Sequence, residues 1–150
     1  MSKNYKKLSA KQYLSQLEMI DVLINQDLER LSEMKNSATC VGSFDYSKEL
    51  VQTSSVGDKL CADVTRYVDF NQHINEEIDR FVDAKNQIIE EIRALRNVDY
   101  MNVLFKVYVQ FKNLKVTAAE MNRSYNCIIE THKKALTAFE ELHKNLTYLC

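Results

Sequence analysis

A chain of 150 residues with no proline and only two glycines, Gly42 and Gly57, has few ways to reverse direction sharply. At average usage this length would carry roughly 7 prolines and about 10 glycines. Sandwiches and barrels need frequent tight turns built from Gly, Pro and Asn-Gly pairs, so those architectures are excluded. Nucleotide sites on glycine-rich loops are excluded too, because neither GxGxxG nor GxxxxGKS/T can be written with glycines at 42 and 57 alone. An all-α chain with long uninterrupted elements remains, and its 45% hydrophobic content suffices for a core. No apolar run approaches the roughly 18 residues of a membrane span, so no membrane partner is expected. The start, MSKNYKKLSAKQYL, is basic but has no apolar stretch, so no secretory leader and a cytoplasmic location are expected.

Periodicity orders the first two thirds of the chain. Tyr13, Leu17, Ile20, Ile24, Leu28, Leu31 and Met34 recur at steps of three or four and predict a helix over about 8–35. Residues 36–57 hold both glycines and a Ser/Thr cluster and read as the connection, with Phe44, Tyr46, Leu50 and Val51 available to tuck against helices. From about 58 to 97, Leu60, Val64, Tyr67, Asn71, Ile74, Ile78, Phe81, Lys85, Ile88, Ile92 and Leu95 follow strict 4,3 spacing, a sustained heptad. Asn71 and Lys85 interrupt this seam, and polar seam residues fix register and partner number. Cys61, Val68, Val82 and Ile89 form a second row that widens the apolar face. The fold expected is a long antiparallel, coiled-coil-like helical hairpin over 1–97, followed by a helix-turn-helix module over 98–150. The heptad helix also offers a seam for a homodimer.

The net charge of −1 hides an asymmetry. Residues 1–98 carry 13 Lys+Arg against 16 Asp+Glu, and 99–150 carry 7 against 5, so the two parts sum to −3 and +2. Lys112, Lys115, Arg123, Lys133 and Lys134 concentrate the positive charge, a weak pointer to phosphate. The same segment predicts Asp99 as the cap of one helix, a short helix at 114–121 and a longer one at 125–146. Leu114–Lys133 satisfies the demands of a helix-turn-helix: a small residue, Ala118, where the helices cross, and a turn residue tolerant of positive φ, Asn122. An apolar anchor, Ile128, completes the set. Asn113 and Ser124 are suited to cap the two helices. Arg123 and Thr131 stand at usually apolar positions, and Thr117 is only half apolar.

On DNA, the second helix of such a unit lies in the major groove. Its outward face comprises Ser124, Tyr125, Asn126, Ile129, Glu130 and Lys133. Asn126 suits adenine, Tyr125 a sugar or thymine methyl group, and Glu130 either cytosine or a pairing with Lys133 or Lys134. Lys112, Lys115, Arg123 and Lys134 suit phosphates and set register.

Val98–Leu142 resembles region 4 of bacterial sigma factors. More closely it is similar to sigma-like phage and mobile-element proteins of Gram-positive bacteria, the group around the ArpU- and RinA-type late-transcription regulators. The likeness rests on Leu104 and Tyr108 in a leading helix, Lys112-Asn113, Ala118, Met121, Ser124 and the run His132-Lys133-Lys134-Ala135-Leu136. Upstream, Leu50-Val51-Gln52-Thr53-Ser54 before a long helix extends it. Asn122 departs from the usual glycine, and Thr117 and Arg123 from apolar residues. The resemblance implies a transcription regulator in the cytoplasm of a bacterial host, with double-stranded DNA and RNA polymerase as partners.

No enzyme is expected: His73, His132 and His143 lie apart on predicted helices, and no nucleophile has a base at a supported spacing. Cys40, Cys61, Cys127 and Cys150 show no CxxC spacing, so reduced thiols, no metal and no cofactor are expected. Two other functions fit an all-helical chain. One is a protein–protein adaptor or inhibitor that does not bind DNA, favoured by the −1 net charge. The other is a terminase-small-subunit-like packaging protein, disfavoured because such proteins place the DNA module first.

Overall fold

The computed structural model describes residues 7–39 and 55–149, and all regular structure in that range is helical. The elements are α1 (Ala10–Leu14), α2 (Gln16–Thr39), α3 (Ser55–Arg93), α4 (Val98–Leu104), α5 (Leu114–Glu120) and α6 (Tyr125–Leu142), with α4 running on into a π-helical turn, Phe105–Val109. The connection is shorter than its composition suggests. Residues 36–39 still belong to α2, where the Ser37 hydroxyl returns to the Glu33 carbonyl at 3.0 Å, and Gly57 lies inside α3. Cys40, Phe44, Tyr46, Leu50, Val51 and Cys150 lie outside the described residues, as do Gly42 and the side chain of Leu60.

Local chemistry explains the other boundaries. The first predicted helix is broken once, at Ser15, and opens on a capping box in which Ser9 and Gln12 exchange bonds of 3.3 and 3.1 Å. Asn97, not Asp99, caps α4. Its extended backbone lets its side chain accept from the N–H groups of Asp99 and Tyr100 at 3.1 and 3.2 Å. Asp99 sits in the first turn, where its charge suits the helix dipole. Helix α6 stops at Leu142 because His143 leaves the helical conformation (φ −113°, ψ 88°) and donates from Nε2 to the Glu91 carbonyl at 3.1 Å. His143 is therefore not on a helix.

The scarcity of glycine reappears as backbone geometry. Among the described residues, Arg96, Phe111 and Asn122 take positive φ (55°, 55° and 51°), each in a connection between helices. A left-handed conformation costs a residue with a Cβ about 1–2 kcal/mol, least for Asn. Arg96 is exposed. Arg96→Gly is therefore expected to stabilise the protein by about 0.5–1 kcal/mol, after allowing for glycine's freedom in the unfolded chain. Asn122→Gly should gain less. Urea midpoints at unchanged slope check both.

The residues group into two compact units, Met1–Asp21 with Phe81–Cys150, and Val22–Arg80. This grouping does not break at the 97/98 division drawn from the sequence. In the first unit Leu14 and Leu17 are buried with Ile88 and Ile92, Leu104 and Phe139 in one core. Long-range bonds tie its parts together. The Leu8 N–H meets the Leu146 carbonyl at 3.0 Å, and the Ala10 N–H, an orphan donor of the α1 start, is met by Glu140 Oε1 at 2.7 Å. Leu149 N–H donates to Gln16 Oε1 at 2.9 Å. In α3 the buried position is Ala84 and not its neighbour Lys85, whose ammonium lies 5.8 Å from the Phe81 ring centre. Ala84 lies one turn before Ile88 on the same helix face, and Ile74, Ile88 and Ile92 stay buried at their heptad positions, so the seam keeps its register and Lys85 is left at its edge.

The second unit is a helix pair. The Arg30 guanidinium lies 5.1 Å over the Phe70 ring, and Met34 and Ser37 share a pocket with Asp63 and Arg66. Numbers rising along α2 meet numbers falling along α3, so the two segments run antiparallel. Ile24 and Ile74 are buried, whereas Val22, Leu23, Leu28, Val64 and Val68 are exposed, as is Asn71. No helix among the described residues is long and apolar enough to cross a membrane.

Candidate nucleic-acid interface

Helices α4, α5 and α6 build a helix-turn-helix with its own small core. Val103, Ala118 and Ile128 are buried together, flanked by Val107, Leu114 and Met121. Each helix start is satisfied locally. Asn113 Oδ1 accepts from Val116 N–H at 2.9 Å, and Ser124 Oγ from Cys127 N–H at 3.3 Å. The turn closes when Met121, Asn122 and Arg123 donate back to Thr117, Ala119 and Ala118 at 3.0, 3.2 and 3.0 Å. The polar residues at apolar positions are accommodated by short local bonds. Thr117 is fully buried, and its hydroxyl donates to the Asn113 carbonyl at 3.0 Å. The Thr131 hydroxyl donates to the Cys127 carbonyl at 2.8 Å.

The residues expected to meet DNA divide into two groups. Ser124, Tyr125, Asn126, Glu130, Lys133 and Lys134 are exposed at the start and on the outer side of α6, with Ile129 half-buried among them. Lys115 is exposed in the first turn of α5. Among the described residues, no carboxylate stands within ion-pair distance of Lys115, Lys133 or Lys134, and Glu130 pairs with neither neighbouring lysine. Lys112 and Arg123 are engaged elsewhere. Lys112 Nζ meets Glu120 at 2.6 and 2.9 Å, and Lys106 Nζ meets the same carboxylate at 2.5 Å. Hydrogen bonds from Lys106 and then Lys112 hold the Glu120 carboxyl below its ordinary range. Arg123 reaches Asp99 at 3.5 Å, an exposed pair worth little.

A groove of about 670 Å³, which no sequence spacing announces, lies beside this face. Its wall includes Lys11, Tyr108, Phe111, Lys115, Tyr125 and His132. Spacing cannot reveal it, because Lys11 comes from α1 and the others from the far end of the chain. Tyr108 and His132 stack at 5.7 Å and 20°, and the phenol oxygen and His132 Nε2 share a hydrogen bond of 2.9 Å. Burial pushes the Tyr108 phenol up to about 12. Burial, and then the Lys11 ammonium, hold His132 below its ordinary 6.5.

Protonation of His132 therefore favours the unfolded chain, which takes up the proton more readily. Its contribution to stability is complete above pH 6.5 and is lost as pH falls through that value towards the lowered folded one. His132→Gln keeps a hydrogen-bonding partner for Tyr108, since an amide can donate or accept, but it cannot titrate. It should lose less stability than the parent between about pH 8 and about pH 5.5, as read from urea midpoints at each pH.

Among the described residues, no cluster of three His, Cys, Asp or Glu side chains could hold a metal ion, and Cys61 and Cys127 are free thiols. No family model, curated protein or solved structure matches the chain.

Proposed function

We propose that this protein is a DNA-binding transcription regulator of the phage type, in which α6 enters the major groove of duplex DNA. The observation that carries the reading is the helix-turn-helix geometry itself. Asn122 turns the chain at φ 51°, Ala118 and Ile128 are buried against Val103, and the face from Ser124 to Lys134 is left to solvent. Tyr125, Asn126 and Glu130 supply base-edge chemistry, and Lys115, Lys133 and Lys134 neutralise phosphates. Lys112 and Arg123 join only by leaving Glu120 and Asp99. RNA polymerase contact and self-association belong to the helix pair, whose exposed Val64 and Val68 provide the surface.

The test is selection of bound fragments from a phage genome by the purified protein, followed by titration against salt. Three engaged lysines give a slope of log affinity on log salt of about −2.7, and all five cations about −4.5. Absence of duplex binding at low salt overturns the reading. A second reading, a protein–protein adaptor, draws on the ion-pair engagement of Lys112 and Arg123 and on the exposed apolar side chains of the helix pair. Recovery of polymerase by the protein without any shift of DNA would favour it.

A further inference from the structure

The groove beside α5 and α6 has the chemistry of a ligand site. Lys11 and Lys115 are exposed ammoniums on its wall, and among the described residues neither has a carboxylate within ion-pair distance. Lys112, also on the wall, is held at 2.6 Å by Glu120, which it shares with Lys106. Among the described residues Glu18 is the one carboxylate in the lining, so Lys11 and Lys115 leave a surplus of positive charge there. Four rings surround the same space. Tyr108 and His132 hold each other by stacking and a hydrogen bond, Phe111 is half-buried, and Tyr125 stands at the mouth with 45% of its surface free. Lysine ammoniums bind phosphate as compact point charges. The volume of about 670 Å³ falls in the range of small-molecule sites, about 300–1,000 Å³.

We propose that this groove binds a small aromatic molecule carrying a phosphate, such as a free mononucleotide, with Lys11 and Lys115 on the phosphate and the ring against Tyr125 and Phe111. Lys115 and Tyr125 also belong to the proposed DNA face, so an occupied groove withdraws both from the duplex. That competition rests on the DNA-binding reading; binding of the small molecule does not.

Calorimetric titration of the full chain at low salt, without DNA, tests the site with three probes: adenosine 5′-monophosphate, adenosine and inorganic phosphate. The monophosphate is expected to bind at least about tenfold more tightly than either fragment, because only it engages rings and ammoniums together. Lys11→Glu, on an exposed side chain, should weaken it by about tenfold or more with the thermal midpoint retained. Lys115→Glu should do the same, which guards against a fold defect in either variant. Phosphate binding as tightly as the monophosphate, or a monophosphate affinity unchanged in both variants, overturns the proposal. A short single-stranded oligonucleotide binding more tightly than the monophosphate also overturns it, by making the groove part of a nucleic-acid track. Duplex binding without monophosphate binding refutes this site alone, and monophosphate binding without duplex binding refutes the DNA reading alone.

Discussion

The double substitution Lys133→Glu, Lys134→Glu is expected to lower affinity for duplex DNA by on the order of 100-fold or more at low salt. It should also flatten the salt dependence by about 1.8 in slope, the share of two phosphate contacts. Both side chains are exposed on the outer side of α6 with no carboxylate in ion-pair reach among the described residues, so the fold has nothing to lose from their reversal. Helical circular dichroism and the thermal midpoint should stay close to those of the parent. Lys112→Gln should change affinity far less, because Glu120 already holds that ammonium at 2.6 Å. Equal affinity of the double variant and the parent, measured by fluorescence anisotropy, would exclude the outer side of α6 as the DNA face.

Phe139→Ala is expected to cost about 3–5 kcal/mol of stability. Phe139 is fully buried, with the Tyr13 ring at 6.0 Å and the His143 ring at 4.6 Å. It thus joins α1, α6 and the segment that follows α6, and His143 in turn holds the Glu91 carbonyl. A cavity there loosens three segments at once. Urea unfolding measures the loss, and a cost below about 1.5 kcal/mol would mean that the core collapses to fill the space. The outer face of α6 does not include Phe139, so on the proposed reading the folded fraction of this variant should keep the parent's duplex affinity.

What could be read beforehand was chemistry confined to a few residues. Asn113 and Ser124 cap their helices as their side chains suggest, Asn122 adopts the left-handed turn, and Ala118 and Ile128 meet in a core. Each of those outcomes depends on neighbours within one or two turns. The misread features depend on partners remote in the chain or on which of two adjacent residues packs. Glu120 captures Lys106 and Lys112 from across a turn, which removes one cation from the candidate site. Ala84 takes the buried place beside Lys85 because it lies one turn before the buried Ile88 and carries no charge to desolvate. Asn97 outcompetes Asp99 for the cap by backbone conformation, which neither side chain announces. The groove joins Lys11 to residues beyond 100, and no periodicity connects those stretches.

The bonds that fasten the first unit have a kinetic consequence. Helical proteins usually fold quickly because their contacts are local in sequence. Here Ala10 is bonded to Glu140 across 130 positions, Leu149 to Gln16 across 133, and Gln87 to Tyr13 across 74. Closing such loops costs entropy before the core repays it. Folding of this all-helical chain should therefore run at the pace of mixed α/β domains rather than of simple bundles, with the helix-turn-helix, whose bonds are local, structured ahead of the long-range closure that locks it in place.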